Sequence, residues 1–273
     1  MLKILISCVN YNSYDCLRKY LDSIKESLKW VKNGAIEVNI LIADTSSNKQ
    51  TFVYEGCNDM NVLLYPLTNL GYFGGVSAIF SKARNINDYD YVVISNVDLR
   101  LSPEFISILS TLDYSEDVCW LAPDIYSLTS DIHINPKILE RYSKWKIKVL
   151  QFMFKHPLVY WAYTNTLALS RAKHRTITHS NAGEIYAGHG SFIVLTKKFF
   201  QFYTSITYPV FLFGEEIFLA ELIRNIKGKV LYEPRLKIID NEHESTGKMH
   251  LWTYCKRNSE ALTYLISKFY KEK

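Results

Sequence analysis

Several short runs of aliphatic and β-branched residues each stop at a polar or glycine-rich segment, and this recurrence limits the folds open to the chain. Residues 3–9 run into Asn10-Tyr11-Asn12, residues 36–43 (IEVNILIA) into Asp44-Thr45-Ser46-Ser47-Asn48, and residues 91–94 into Ser95-Asn96-Val97-Asp98. Apolar runs of this length bounded by turn formers read as strands buried on both faces, as in a parallel sheet. Between the first two, Leu17, Tyr20, Leu21, Ile24 and Leu28 recur at the spacing of one helical face. A short strand over 61–65 leads to Asn69-Leu70-Gly71-Tyr72-Phe73-Gly74-Gly75. That segment opens a helix with Val76, Ile79, Phe80 and Ala83 on its apolar side. The order β-α-β-β-α-β predicts an α/β fold with a doubly wound, mostly parallel sheet flanked by helices.

In such a sheet, ligands lie beyond the carboxyl ends of the strands. Asp98 falls there. A carboxylate at that point suits a metal ion, although the same residue also fits a turn or N-cap Asp ahead of a helix over 103–109. The glycines of 69–75 permit positive φ and close approach of backbone to a ligand, and the helix start behind them offers free N–H groups. The segment is neither G-x-G-x-x-G nor a Walker A loop, so a dinucleotide or P-loop site is not expected.

The second half continues with a strand over 118–125. Residues 137–175 then carry nine Lys/Arg against a single acid, Glu140, a local balance of +8 where the whole chain has +5. Aromatic residues are interleaved (Tyr142, Trp145, Phe152, Phe154, Tyr160, Trp161, Tyr163). A basic, aromatic, helical segment matches either an anionic membrane surface or a solvated helical hairpin closing one side of the site. No RNA- or DNA-binding motif accompanies it, and nucleic acid is not an expected partner. Gly188-His189-Gly190-Ser191 precedes a strand over 192–195. The aromatic run 209–213 delivers Gly214-Glu215-Glu216 at a helix start. Two acids there fit the helix dipole, while a carboxylate beside Phe211 and Phe213 can also have a raised pKa and act as a general base. Short strands over 230–232 and 236–240 follow, then Asn241-Glu242-His243-Glu244-Ser245-Thr246-Gly247-Lys248, then an amphipathic helix over 251–270.

The 273 residues, 48% of them hydrophobic, suffice for one large domain. No run of 18 apolar residues occurs and the first residues read as a strand, so neither a transmembrane helix nor a signal peptide is expected. Five scattered cysteines without a Cys-x-x-Cys pair point to reduced thiols and a cytoplasmic protein.

Taken together, the series resembles the family-2 inverting glycosyltransferases of the GT-A fold, and within them the rhamnosyltransferase-like enzymes of bacterial polysaccharide biosynthesis. It rests on Val9-Asn10-Tyr11-Asn12, Ala43-Asp44-Thr45-Ser46-Ser47, the 69–75 segment, Ile94-Ser95-Asn96-Val97-Asp98, Gly188-His189-Gly190-Ser191, Phe213-Gly214-Glu215-Glu216 and His243-Glu244-Ser245-Thr246-Gly247-Lys248. Each motif is weak; their order over residues 1–250 is specific. The resemblance implies a Rossmann-like nucleotide-sugar-binding half (1–125), a helical basic/aromatic insertion (126–187), an acceptor and catalytic half (188–250) and a C-terminal helix (251–273). It implies that Asn10, Tyr11 and Asp44 hold base and ribose, and that Asn69, Gly71, Gly74, Asn96 and Val97 line the nucleotide-sugar. Asn96-Val97-Asp98 matches the family's Asp-x-Asp motif, with Asp98 and His243 on a divalent metal, Mg²⁺ or Mn²⁺. Glu216, or Glu215, is the implied base. Lys197 or Lys198 stands where the family has a basic residue. The expected partners are a UDP- or dTDP-sugar donor and a glycan or lipid-linked acceptor.

Asn96, Glu216 and Phe218 depart from the family's usual Asp residues, and they sustain a rival reading as a catalytically silent homologue that binds nucleotide-sugar or glycan within an assembly. A nucleotidylyltransferase would carry a basic glycine-rich loop after the first strand, and Asn10-Tyr11-Asn12 is not one.

Overall fold

The computed structural model of the chain describes residues 1–31, 35–83, 85–171, 181–240 and 249–271, with the backbone alone for 167–171. Strand β1 (Leu2–Asn10) leads through helix α1 (Tyr14–Lys29) to β2 (Ile36–Asp44) and β3 (Met60–Pro66). Helix α2 (Tyr72–Phe80) returns the chain to β4 (Tyr91–Asn96), then β5 (Leu99–Leu101), α3 (Phe105–Thr111) and β6 (Val118–Ser127). After β7 (Ile132–His133) come α4 (Lys144–Lys155) and α5 (Pro157–Arg171). The second half adds β8 (Gly183–Ile185), β9 (Phe192–Thr196), α6 (Lys197–Phe200), α7 (Glu215–Asn225), β10 (Lys229–Asp240) and α8 (Leu251–Phe269).

One sheet runs β3-β2-β1-β4-β9-β6-β10-β5, with β7 on β6 and β8 on β10. Along that path only β9 and β5 run against the rest, so the carboxyl ends of six strands share one edge. Alternate residues of β1 feed opposite cores: Leu5 joins the face under α2, α7 and α8, while Ile4 and Ile6 join the face under α1 and α3. This two-sided burial is why the strands lack polar alternation. In α1, Leu17, Tyr20, Leu21 and Ile24 are buried, as their spacing predicts.

Two short strands were expected over 230–232 and 236–240, and the structure joins them into the single strand β10. Its register on β6 shifts between Glu233 (opposite Pro123) and Lys237 (opposite Asp124). Pro234 donates no ladder hydrogen bond. The buried Glu233 carboxylate holds the irregularity by accepting from the Arg235 backbone N–H at 3.1 Å and its guanidinium at 2.7 and 2.8 Å.

The basic segment forms the helical hairpin α4–α5, and α4 lies along α8 with Gln151 donating to Thr263 at 2.8 Å. The hairpin is less uniformly basic than its sequence. Arg141 donates from Nε at 2.6 Å to Glu221, which is buried on α7, and from a second nitrogen to the Phe269 carbonyl at 3.2 Å. Tyr186 donates to the same Glu221 oxygen at 2.6 Å. Lys173, Arg175 and the Arg171 side chain lie outside the described residues. The five cysteines are free thiols; Cys8, Cys119 and Cys255 are buried.

Candidate active site

The tips of β1 and β2 are tied together by buried polar groups. Asn10 donates from Nδ2 to Asp44 at 3.1 Å and to the Ser46 hydroxyl at 3.2 Å, and its Oδ1 accepts from the Ser13 backbone N–H. The other Asp44 oxygen accepts from the Tyr14 hydroxyl at 2.7 Å. Asn10 and Asp44 are almost fully buried, whereas Tyr11 between them is 45% exposed. Asn10 and Asp44 thus fix the loop, and Tyr11 is the one of the three that presents its ring outward. The pairings of Tyr14 with Asp44 and of Ser46 with Asn10 could not be read along the chain, because their members lie 30 and 36 residues apart.

Gly71 stands just before α2 with φ 77°, and a Cβ there would meet the Phe211 carbonyl oxygen at 1.9 Å. Only glycine allows that contact, through which Tyr72 N–H donates to Phe211 at 3.2 Å. Asn69 accepts from the Gly71 N–H at 3.1 Å. Gly74 and Gly75 lie inside α2 without positive φ; Gly75 faces Val9, where it lets helix and strand approach. The loop of 69–75 is therefore a shorter turn than its glycine count suggests.

Strand β4 ends at Asn96. Val97 is buried in the core, and Asp98 follows half-buried. A cleft of about 470 Å³ opens there, lined by Asp98, Arg100, Tyr14, Lys19 and Gln50 among others. Asp240, at the end of β10, pairs with Leu99 and so arrives one residue from Asp98.

The acids of α7 approach the same edge from the other half. Phe213 (φ 73°) and Gly214 (φ 82°) are both left-handed, a conformation that costs a bulky residue on the order of 1–3 kcal/mol. Tyr208 holds it by donating to the Phe213 carbonyl at 2.7 Å, and the Phe213 ring packs edge-on against Tyr254 at 5.1 Å. This kink sends Glu215 inward and leaves Glu216 half-buried beside Gly190. Glu216 accepts from the Gly190 N–H at 3.4 Å, and a Cβ on Gly190 would stand 3.3 Å from its carboxylate. Tyr72 donates to the Gly190 carbonyl at 3.0 Å. Burial first, then the charge of Glu215 and further down that of Asp98, push the Tyr72 phenol well above its ordinary range, so one side chain senses both acids. Half-buried Tyr142 and Tyr254 are raised by burial and, less, by Glu216. The His189 backbone N–H donates to Asn135 at 2.7 Å, and its Nδ1 pairs with the Ser191 hydroxyl at 2.8 Å.

Glu215 is buried, and its Oε1 has no hydrogen-bond partner among the described residues. Burial, and then the neighbouring Glu216 charge, raise its carboxyl to about 8. Between about 4.5 and about 8 the folded state keeps a proton that the unfolded chain releases, so this group's stabilising contribution is complete at the acid end and is lost as pH rises. Glu215→Gln is expected to remove that decline, gaining on the order of 3 kcal/mol over the parent near pH 8 and almost nothing near pH 5. Chemical denaturation across pH checks it; parallel curves for the two proteins would refute the buried proton.

Among the described residues, no group of three or more His, Cys, Asp or Glu forms a metal cage. Asp98 supplies one hard oxygen donor, and His243 lies outside the described residues. Such a set fits Mg²⁺ or Mn²⁺ held by one or two carboxylates together with substrate phosphate and water. It does not fit a closed structural metal site.

A sheet of this order, with its helices and its strand-tip cleft, is the GT-A fold. Similar solved structures include GalNAc-T7 with UDP, GalNAc and Mn²⁺, at 10% identity and a TM-score of 0.57 over 98% of this chain and 48% of that one. Residues 1–349 of S. aureus TarS with UDP-GlcNAc match at 8% identity and a TM-score of 0.54, over 99% and 68%. The chain thus spans about half of GalNAc-T7. At these identities the likeness establishes the fold. No protein-family model and no curated protein matches the sequence.

Proposed function

We propose that the chain is an inverting glycosyltransferase, transferring a sugar from a UDP- or dTDP-sugar to an acceptor hydroxyl. One observation carries this reading: Tyr72 donates to the Gly190 carbonyl, Gly190 N–H donates to Glu216 at the start of α7, and the Tyr72 phenol is raised, after burial, by the charges of Glu215 and of Asp98 beyond β4. The solved structures with UDP and UDP-GlcNAc support a donor of that class.

In this reading residues 1–125 hold the donor and 188–250 bring the base and acceptor. Tyr11 offers its ring to the nucleobase, on a loop fixed by Asn10 and Asp44. Asn69, Gly71, Gly74 and the Asn96-Val97 backbone line the sugar diphosphate. Asp98, with His243 as the resemblance implies, holds the divalent ion. That ion, when bound, offsets the charge of the departing diphosphate. Burial raises the Glu215 carboxyl and disfavours its charged form, so in this reading Glu216, which accepts from the Gly190 N–H, takes the proton of the attacking hydroxyl. A single displacement of this kind inverts the anomeric carbon. The half-buried rings of Tyr142, Phe213 and Tyr254 beside Glu216 suit a glycan acceptor, as in cell-surface polysaccharide assembly, lipid-linked or free.

The test is donor hydrolysis over UDP-, dTDP- and GDP-sugars with Mn²⁺, Mg²⁺ or EDTA. Metal-dependent release of one nucleotide is the expected result. Nucleotide binding without turnover, with or without added glycan acceptors, would replace the enzyme reading by that of a silent homologue.

A further inference from the structure

The α4–α5 hairpin carries a surface that the sugar-transfer reading does not use. On α4, Ile147 and Met153 are buried toward α8. The opposite stripe reads Trp145, Lys148, Phe152, Lys155, spaced three, four and three residues apart, so it occupies one outward face. Trp145 is 76% exposed and Phe152 56%. The tight turn at His156 then starts α5, where Leu158 is 70% exposed and Trp161 56%, with Val159 and Tyr163 exposed beside them. Helices of soluble proteins place such side chains inward; here two consecutive helices place them outward.

Charge separates this patch from an ordinary protein-binding surface. Residues 144–166 contain Lys144, Lys146, Lys148 and Lys155 and no acid. Lysines alternating with Trp and Phe on one face are what an interfacial helix presents. The rings sit at the boundary between headgroup and acyl chain, and the ammonium groups reach the phosphates. Among the described residues, no helix is long and apolar enough to cross a membrane, so contact would be with one leaflet.

We propose that the outward face of the α4–α5 hairpin docks on an anionic lipid bilayer through Trp145, Phe152, Leu158 and Trp161, with Lys148 and Lys155 on the headgroups. A second copy of the chain would have to match four lysines with acids, and the patch itself supplies none. The inference stands on the hairpin surface alone and is independent of the chemistry at Glu216.

The intact protein is sedimented with phosphatidylcholine vesicles and with vesicles of equal parts phosphatidylcholine and phosphatidylglycerol. Binding to the second and not the first, weakening as salt is raised, is the expected result. Lys148→Gln should lower the partition coefficient about fivefold, and Lys148→Gln with Lys155→Gln by the square of that. Trp145→Ser with Phe152→Ser should abolish binding with an unchanged melting curve, since both side chains are solvent-exposed. Failure to bind anionic vesicles at low salt overturns the proposal, as does binding that survives Trp145→Ser with Phe152→Ser. A dimer in light scattering that this double variant converts to monomer would assign the surface to a second copy and overturn it too.

Discussion

Asp98→Ala is expected to leave a folded protein that still binds nucleotide weakly and turns over donor about a hundred- to a thousandfold more slowly. The carboxylate stands two residues beyond β4 and directly before β5, whose Leu99 pairs with Asp240, and its own side chain is no part of the apolar core. What it loses is negative charge at the place where a divalent ion and a diphosphate would meet. Asp98→Asn, which keeps the shape, should fail to the same degree and also flatten the response to added Mn²⁺. Measuring nucleotide release against metal concentration, with thermal melts as a control of folding, separates this from a general loss of structure. Turnover that survives both substitutions would remove Asp98 from the metal site.

Glu216→Gln should be the second large effect, a loss of about a hundred- to ten-thousandfold in transfer with donor binding intact. Glu215→Gln is the informative partner. Because Glu215 is the member that keeps its proton, replacing it with an uncharged isostere should preserve most of the neutral-pH transfer rate. If the roles are reversed, the two variants exchange behaviour, and acceptor-dependent rates for both decide the matter directly.

Much of this site can be read along the chain, for a physical reason. Strands buried on both faces must be apolar throughout, so β1, β2 and β4 stand out, and the polar residues that stop them mark the edge where ligands sit. The acid pair is visible for a similar reason, as charge arriving after an aromatic run. What could not be read depends on distant contacts. Which acid turns inward is set by the left-handed Phe213-Gly214 kink, held by Tyr208 and Tyr254. Asn10 and Asp44 stand out along the chain as polar strand ends; that they bind each other, Ser46 and Tyr14 depends on contacts the sequence does not show. β9 slots antiparallel between β4 and β6, and only that placement brings Gly190 under Glu216. The merging of two expected strands into β10 depends on a side chain, Glu233, bonding across its own bulge.

Glu221 lies five residues after Glu216 on α7, about 7.5 Å along the axis. It is where Arg141, Tyr186 and, through Arg141, the Phe269 carbonyl all converge. The helix that aims the proposed base is therefore bolted to the foot of the hairpin and to the far end of α8. One ion pair and about one and a half helical turns separate the proposed docking hairpin from the Glu216 carboxylate. The proposed anchorage and the proposed base thus share one strut, the Arg141–Glu221 pair.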